Sequence, residues 1–143
     1  MARVLAVTWA LCLLAAPQVI AGETTIPVQG TFRGRYMPRG PLGLFATGAA
    51  SLAALGDGPC SMTVSDAHST VFFRVFRDGA TLEGPADFTI GRNARGEISI
   101  TGAWHVTSGT GRFAEVRGGE VQVAAVGNAR GGMRATLDGS LRF

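Results

Sequence analysis

Lysine is absent from this chain of 143 residues, and all 13 of its basic residues are arginines. Removal of Arg3 with a cleavable N-terminal leader would leave twelve arginines against ten acidic residues. These charges are scattered along the sequence, whereas a nucleic-acid surface requires basic residues that cluster. The isoelectric point of about 9.7 therefore reflects a small excess of arginine. The sequence predicts no nucleic-acid partner.

Cysteine and histidine are also scarce. The chain contains Cys12 and Cys60, and loss of the leader leaves Cys60 alone, so the mature protein forms no intramolecular disulfide. A lone cysteine is more often buried and inert than reactive. Neither His68 nor His105 has further ligands at metal-binding spacing, and a zinc site requires three or four convergent groups. The sequence predicts no metal, no cofactor, and surface positions for both histidines.

Catalytic patterns are missing as well. The serines do not occur in a nucleophile-elbow context, so the sequence offers no Ser-His-Asp triad. Asp78, Glu83 and Asp87 could act as paired carboxylates, but their positions beside turns favour a solvated rim. Catalytic residues are therefore not identified, and the sequence favours a binding protein over an enzyme.

The apolar segment at the N-terminus is too short for a membrane span and has the pattern of a signal peptide. Arg3 supplies a positive charge, Val4–Ala16 is the apolar run, and Pro17 breaks it. Small residues ending at Ala21 form a cleavage site before Gly22. We predict that residues 1–21 are removed and that residues 22–143 form a single domain, secreted or periplasmic.

Helix signals are scarce, and apolar residues alternate with polar ones through much of the mature chain. In Ile98–Val106 every second residue is apolar or glycine, which predicts a half-buried strand. Thr25–Met37 and Met133–Phe143 alternate in the same way, and Pro27 predicts an edge or a bulge at the start of the first. About eight such strands predict an all-β protein, a closed antiparallel barrel.

The alternation also assigns the two faces of the predicted barrel. A slip of one residue would turn the polar set inward, so the assignment is strongly specified. The residues predicted inside are Ile98, Ile100, Trp104, Val106, Leu137 and Leu141. Glycines on the same faces would relieve crowding, namely Gly30, Gly34, Gly102 and Gly139.

The segment Leu42–Leu55 is compatible with two structures. Its alanines and leucines suit a helix, but Gly43 and Gly48 would each weaken a helix by about 1 kcal/mol. We predict a strand there. We also predict a turn at Gly56–Pro59.

Further strands are predicted at Ala80–Glu83, at Ala86–Ile90 and at Thr70–Arg77. The last of these is apolar on both faces, although a barrel buries one face of a strand. The second apolar face predicts a homo-oligomer, a dimer or a trimer, with Leu42–Leu55 as an alternative cover.

Two loops repeat the sequence Asn-Ala-Arg-Gly. They are Gly91–Gly96 and Gly127–Gly132, each between alternating segments. Asparagine and glycine favour the tight turns of hairpins. The repetition therefore indicates shared turn chemistry more than a binding motif.

The segment Gly109–Ala114 matches the G-x-G-x-x-G/A pattern of dinucleotide-binding proteins. That function requires a helix whose N-terminus faces the pyrophosphate. Gly118 and Gly119 follow within about one helical turn, and strand-like alternation then resumes. We interpret the match as accidental.

The same residues resemble a family signature. The segment that begins at Ser108, SGTGRFAEVRGG, is similar to the GGTGRFAGATG motif of allene oxide cyclase and dirigent-like β-barrels and of small secreted bacterial relatives. It departs from that motif at Ser108 and Glu115, where the family usually has glycine. The matching positions are Gly109, Thr110, Gly111, Arg112, Phe113 and Gly118. The resemblance implies a barrel, a structural role for these residues, and trimers as in some family members. The acid and base residues of these families have no counterparts that we can place in this sequence. The resemblance therefore implies a pocket more than a reaction.

Three functions remain open at this stage. The first is a barrel that binds a small apolar or aromatic molecule between Phe32, Tyr36, Phe88 and Trp104, although such aromatics equally suit an ordinary core. The second is an enzyme of cyclase or dirigent type. The third is a small outer-membrane barrel, suggested by the terminal Phe143. The mature chain has too few tryptophans and tyrosines for aromatic girdles. We therefore expect no membrane partner and predict the first function.

Overall fold

The computed structural model describes residues 22–40, 43–53, 56–65 and 70–143, so the leader and His68, for which a surface position was predicted, lie outside the described residues. A short 3-10 helix covers Gly111–Phe113. The strands are β1 (Thr25–Arg39), β2 (Gly43–Leu52), β3 (Gly56–Val64), β4 (Thr70–Val75), β5 (Thr81–Arg92), β6 (Ile98–Val106), β7 (Ser108–Gly109), β8 (Gly118–Gly127) and β9 (Gly132–Arg142).

Eight of these strands form a closed antiparallel barrel, which confirms the predicted fold class. Each strand from β1 to β5 pairs with the next, and β8 pairs with both β6 and β9. Strand β9 returns to β1, where Thr25 lies opposite Arg142, and closes the barrel. The two-residue β7 adds to the start of β5.

The inner face of the barrel is apolar and the outer face is polar, as the alternation predicts. On β9, for example, Leu137 is buried while its neighbours Thr136 and Asp138 are exposed. The whole set predicted to lie inside is buried: Ile98, Ile100, Trp104, Val106, Leu137 and Leu141. The face assignment is therefore confirmed.

Inward glycines lie where neighbouring strands approach each other most closely. A Cβ at Gly30 would overlap the backbone oxygen of Ser51, and a Cβ at Gly139 would overlap that of Glu120. A residue without a side chain is required at such points, where the sheet coils sharply.

The structure confirms the strand predicted in Leu42–Leu55 and corrects the turn predicted after it. Strand β2 pairs with β1 along its length, so the strand predicted in Leu42–Leu55 is confirmed, although Leu42 and Leu55 themselves lie outside the described residues. The turn predicted at Gly56–Pro59 is wrong, because these residues begin β3, where Pro59 lies opposite Ala49. The β3–β4 ladder begins only at Cys60, so the missing N–H of proline is tolerated.

Strands β4 and β5 also differ from their predicted bounds. The strand predicted at Thr70–Arg77 ends at Val75, because the amide of Gly79 donates to the oxygen of Val75 and closes a turn. The strands predicted at Ala80–Glu83 and Ala86–Ile90 are one strand, β5. The intervening glycine and proline remain paired with β4 and do not break it.

The two ends of the barrel are built differently. At one end, the segment from Ser108 to Arg117 is hydrogen-bonded to Thr81 on β5 and to Arg142 on β9, and it buries Phe113 and Val116; we call this the closed end. The other end contains the loops that connect β1 to β2, β5 to β6, and β8 to β9. We call this end the mouth.

Candidate functional site

The four aromatic residues predicted to line a pocket all lie on the inner face. Phe32, Tyr36 and Trp104 are buried, and Phe88 is partly buried against the same core. The ring of Trp104 packs against Phe73, with ring centroids 6.3 Å apart and planes inclined at 55°. Their orientation follows directly from the period-two pattern.

The barrel interior beside Trp104 is filled with side chains. The cavity there measures about 10 Å³, whereas ligand pockets commonly measure about 300–1,000 Å³. The indole Nε1 of Trp104 is buried with no hydrogen-bond partner in the described part of the chain. The cavity lining is apolar: Val28, Leu52, Phe73, Leu82, Trp104, Val121, Leu137 and Leu141. The space beside Trp104 is therefore too small for a ligand of ordinary size.

The glycine-rich motif forms the closed end. Its 3-10 helix is a single turn, so there is no helix N-terminus of the kind that binds a pyrophosphate. Gly111 has a φ of +61°, and a Cβ there would lie 3.2 Å from the Cβ of Ala80. The dinucleotide pattern therefore has a conformational explanation.

Polar contacts fasten this motif to the start of β5. The hydroxyl oxygens of Thr110 and Thr81 are 2.6 Å apart. The Nε of Arg112 lies 3.0 Å from Oδ2 of Asp78, and its Cζ lies 4.8 Å from the centroid of the Phe113 ring. These are the contacts of a structural cap, and Asp78 is part of it.

At the mouth, the two Asn-Ala-Arg-Gly loops form the same turn. In each loop the asparagine Oδ1, of Asn93 or Asn128, accepts hydrogen bonds from the amides two and four residues later. The glycine that follows, Gly96 or Gly131, has a φ of 76° or 86°. The predicted hairpins are confirmed, and turn chemistry accounts for the repetition.

An open groove of about 590 Å³ lies at the mouth, bounded by β1, β2 and these two loops. Its large apolar side chains are those of Tyr36, Met37 and Phe45. We call it the mouth groove. The rest of its lining is Arg35, Pro38, Thr47, Arg92, Gly96, Ala129, Arg130 and Gly131.

Strand register brings the apolar side chains of the mouth groove together. Met37 on β1 lies opposite Phe45 on β2, and Met37 is 56% exposed. The guanidinium carbon of Arg39 lies 5.3 Å from the centroid of the Phe45 ring. Tyr36 points inward, and its hydroxyl donates a 2.9 Å hydrogen bond to the backbone oxygen of Asn128. This bond ties the floor of the groove to the β8–β9 loop.

A separate polar cluster lies on the outer wall. Nε2 of His105 lies 3.1 Å from Oδ2 of Asp87, and Nδ1 lies 3.6 Å from Oε2 of Glu120. Strand β6 runs between β5 and β8, so carboxylates from both neighbours flank the imidazole. In the described ranges, no group of three histidine, cysteine, aspartate or glutamate side chains could hold a metal ion.

Cys60 is buried, as predicted, with 1% of its surface exposed. Burial raises the pKa of its thiol from 9.0 to about 11, although a backbone hydrogen bond involving Ala50 opposes the rise. The thiol therefore stays protonated near neutral pH and is a poor nucleophile.

The sequence predicts neither the mouth groove nor the histidine cluster. Met37 lies at a predicted strand end, and Phe45 lies in the segment for which a helix was the alternative. Their contact depends on the β1–β2 register, and that of His105 depends on a three-strand neighbourhood. Exposed apolar residues beside a loop are the signal that could have indicated the groove.

No helix in the described ranges is long and apolar enough to cross a bilayer. No protein-family model, curated protein or solved structure matches the chain. The resemblance to allene oxide cyclase and dirigent-like barrels therefore rests on the sequence motif.

Proposed function

We propose that this protein is an exported β-barrel that binds a small apolar or aromatic molecule in the mouth groove. The observation that carries the proposal is the contrast between about 10 Å³ beside Trp104 and about 590 Å³ at the mouth. The second volume falls in the range of small-molecule sites, about 300–1,000 Å³.

The lining of the mouth groove suits such a ligand. The Phe45 ring offers a flat apolar face, and Met37 has a flexible thioether that adapts to irregular shapes. Tyr36 is the one residue of the four proposed from the sequence that borders this groove. The ligand would therefore lie against the end of the barrel and not among Phe32, Phe88 and Trp104.

Export is part of the proposal. The charged start, the apolar run and the small residues before Gly22 support cleavage after Ala21 and a secreted or periplasmic location. N-terminal sequencing of the exported protein checks this, and a mature chain that still begins at Met1 would contradict it.

Two alternatives have weaker support. An enzyme of cyclase or dirigent type is suggested by the motif at Gly109–Gly118, but that motif lies at the closed end, away from the mouth groove. An outer-membrane barrel presents an apolar band to lipid and a polar interior. The faces observed here have the opposite polarity, which does not favour that alternative.

Titration with the neutral fluorophore N-phenyl-1-naphthylamine tests the proposed site. We expect the purified mature protein to enhance its emission, and Phe45→Ser to weaken binding about tenfold, or about 1.4 kcal/mol. Phe72→Ser is the matched control, because Phe72 also lies on the outer wall with an arginine, Arg74, 5.8 Å from its ring centroid.

The control separates the groove from other apolar surface. Unchanged binding by Phe72→Ser together with weak binding by Phe45→Ser supports the mouth groove. Equal losses in the two variants, or loss only in Phe72→Ser, would refute it. Circular dichroism establishes that each variant is folded.

A further inference from the structure

The arginines that are scattered in the sequence converge at the mouth. In the described part of this end, Glu97 is the one acidic residue, and its carboxylate accepts a 2.6 Å hydrogen bond from Nδ2 of Asn93. The arginines on the strand ends and loops here are Arg33, Arg35, Arg39, Arg92, Arg95, Arg130 and Arg134.

In the described part of the chain, two arginines near the closed end form ion pairs, and the arginines of the mouth do not. Among the described residues, the ion pairs made by arginine are Arg112 with Asp78 and Arg142 with Glu23, both near the closed end. None of the mouth arginines pairs with a carboxylate in the described ranges. Arg35 instead donates a 3.0 Å hydrogen bond to the backbone oxygen of Arg130.

Arg33 and Arg134 lie directly opposite each other on β1 and β9, and both side chains are exposed on the outer wall. Like charges in this position destabilise a sheet. Positions where a sequence breaks such a local rule without a compensating partner are often functional.

A second open groove, of about 750 Å³, lies beside these two arginines. Arg33, Arg92 and Arg134 line it, and Arg92 also lines the mouth groove, so the two grooves adjoin. We call it the arginine groove. Val126, 54% exposed, lies opposite Arg134 and adds an apolar contact.

We propose that Arg33 and Arg134 bind an anionic group of the molecule that occupies the mouth groove. This inference rests on the proposed function and specifies its ligand class: an apolar or aromatic molecule with a carboxylate, sulfonate or phosphate. Guanidinium groups bind such oxyanions through paired hydrogen bonds, and a shared anion would offset the repulsion between the facing arginines.

The shape of the site favours a small anion over an anionic surface. The arginines border a concave groove that also contains the carboxylate of Glu97. A bilayer would bring phosphates onto this carboxylate as well as onto the arginines, whereas a single oxyanion can contact Arg33 and Arg134 alone.

A matched pair of fluorophores tests the inference. The neutral probe is N-phenyl-1-naphthylamine, and 8-anilino-1-naphthalenesulfonate is the same molecule with one sulfonate. We expect the sulfonated probe to bind about tenfold more tightly to the wild type, as a charged hydrogen-bonded contact allows. Arg33→Gln and Arg134→Gln should each remove most of this preference and leave the affinity for the neutral probe within about twofold.

Arg77→Gln is the control, since Arg77 is an exposed arginine in the turn between β4 and β5, away from the mouth. It should change neither affinity. Thermal unfolding without ligand gives a second readout: Arg33→Gln should leave the midpoint unchanged or raise it, because it removes a facing like charge. A purely structural role for Arg33 would lower the midpoint.

The outcomes separate this inference from the proposed function. Equal affinity for the two probes, or equal losses in Arg33→Gln and Arg77→Gln, overturns the anion site and leaves the mouth groove standing. Arginine-dependent binding of the sulfonated probe without binding of the neutral one supports the anion site and refutes the apolar groove. Binding to vesicles with phosphatidylglycerol that depends on Arg33, without binding of the sulfonated probe, overturns the inference in favour of a membrane surface.

Discussion

At the scale of single residues, Trp104 and His105 are sequence neighbours in opposite environments. Trp104 is 2% exposed in the barrel core, and His105 lies on the outer wall between two exposed carboxylates. We expect Trp104→Ala to lower the free energy of unfolding by about 3–5 kcal/mol, and His105→Ala by less than about 1 kcal/mol. Urea denaturation measures both. Similar losses in the two variants would contradict the assigned faces.

Residue-level reasoning from the sequence succeeds for burial and does not determine ligand contact. Period-two alternation determines which side chains point inward, so Phe32 and Trp104 could be placed correctly. Whether inward aromatics enclose a pocket or fill it depends on side-chain volumes from facing walls, such as Leu82 and Leu137 against Trp104. No local pattern contains that information.

At the scale of elements, the strands were predictable and the turns less so. The alternation specifies β1, β6 and β9, but Gly56–Pro59 has the composition of a turn and begins β3. Its partner residues on β2, and not its own preferences, determine its conformation. The same holds for Gly84 and Pro85 within β5.

The cap at the closed end gives a prediction for an element. Gly111 combines a φ of +61° with close contact to Ala80, so Gly111→Ala should lower the free energy of unfolding by about 1 kcal/mol or more. Gly79→Ala is the control, since its φ is +72° and a Cβ there would meet no atom within 4 Å. Gly79→Ala should lower the free energy of unfolding by the cost of a side chain at positive φ alone, because it has no contact like that of Gly111 with Ala80.

Nucleotide binding distinguishes this account of the cap from the dinucleotide pattern. We expect isothermal titration to detect no affinity for NAD or ATP in the wild type or in Gly111→Ala. Affinity in the wild type that disappears in the variant would favour a phosphate-binding loop.

At the scale of the whole molecule, barrel closure brings together arginines that are scattered in the sequence. Arg33 and Arg134 are far apart in the chain and face each other because β9 returns to β1. The sequence therefore contains no basic cluster, and the fold supplies one. Such a site becomes visible only when strand order and register are known.

Self-association is a further prediction at this scale. Phe72 lies on the outer wall and Phe76 is 48% exposed in the turn after β4, so apolar surface remains there. We predict a dimer or trimer through this surface, and Phe72→Glu should reduce the mass to that of a monomer in light scattering. Phe73→Glu should unfold the chain, because Phe73 is 3% exposed. A monomeric wild type at high micromolar concentration would contradict the prediction.

The proposed function places the ligand at the mouth and leaves the barrel interior as core. Amide and indole chemical shifts of the ¹⁵N-labelled mature protein, titrated with N-phenyl-1-naphthylamine, test it most directly. Trp104 is the one tryptophan after the leader, so its indole Nε1–H gives a single reporter of the interior. We predict that the amides of Met37, Phe45 and Ala129 shift on titration while the Trp104 indole does not. A shift of the indole with unmoved Met37 and Phe45 amides would contradict the account.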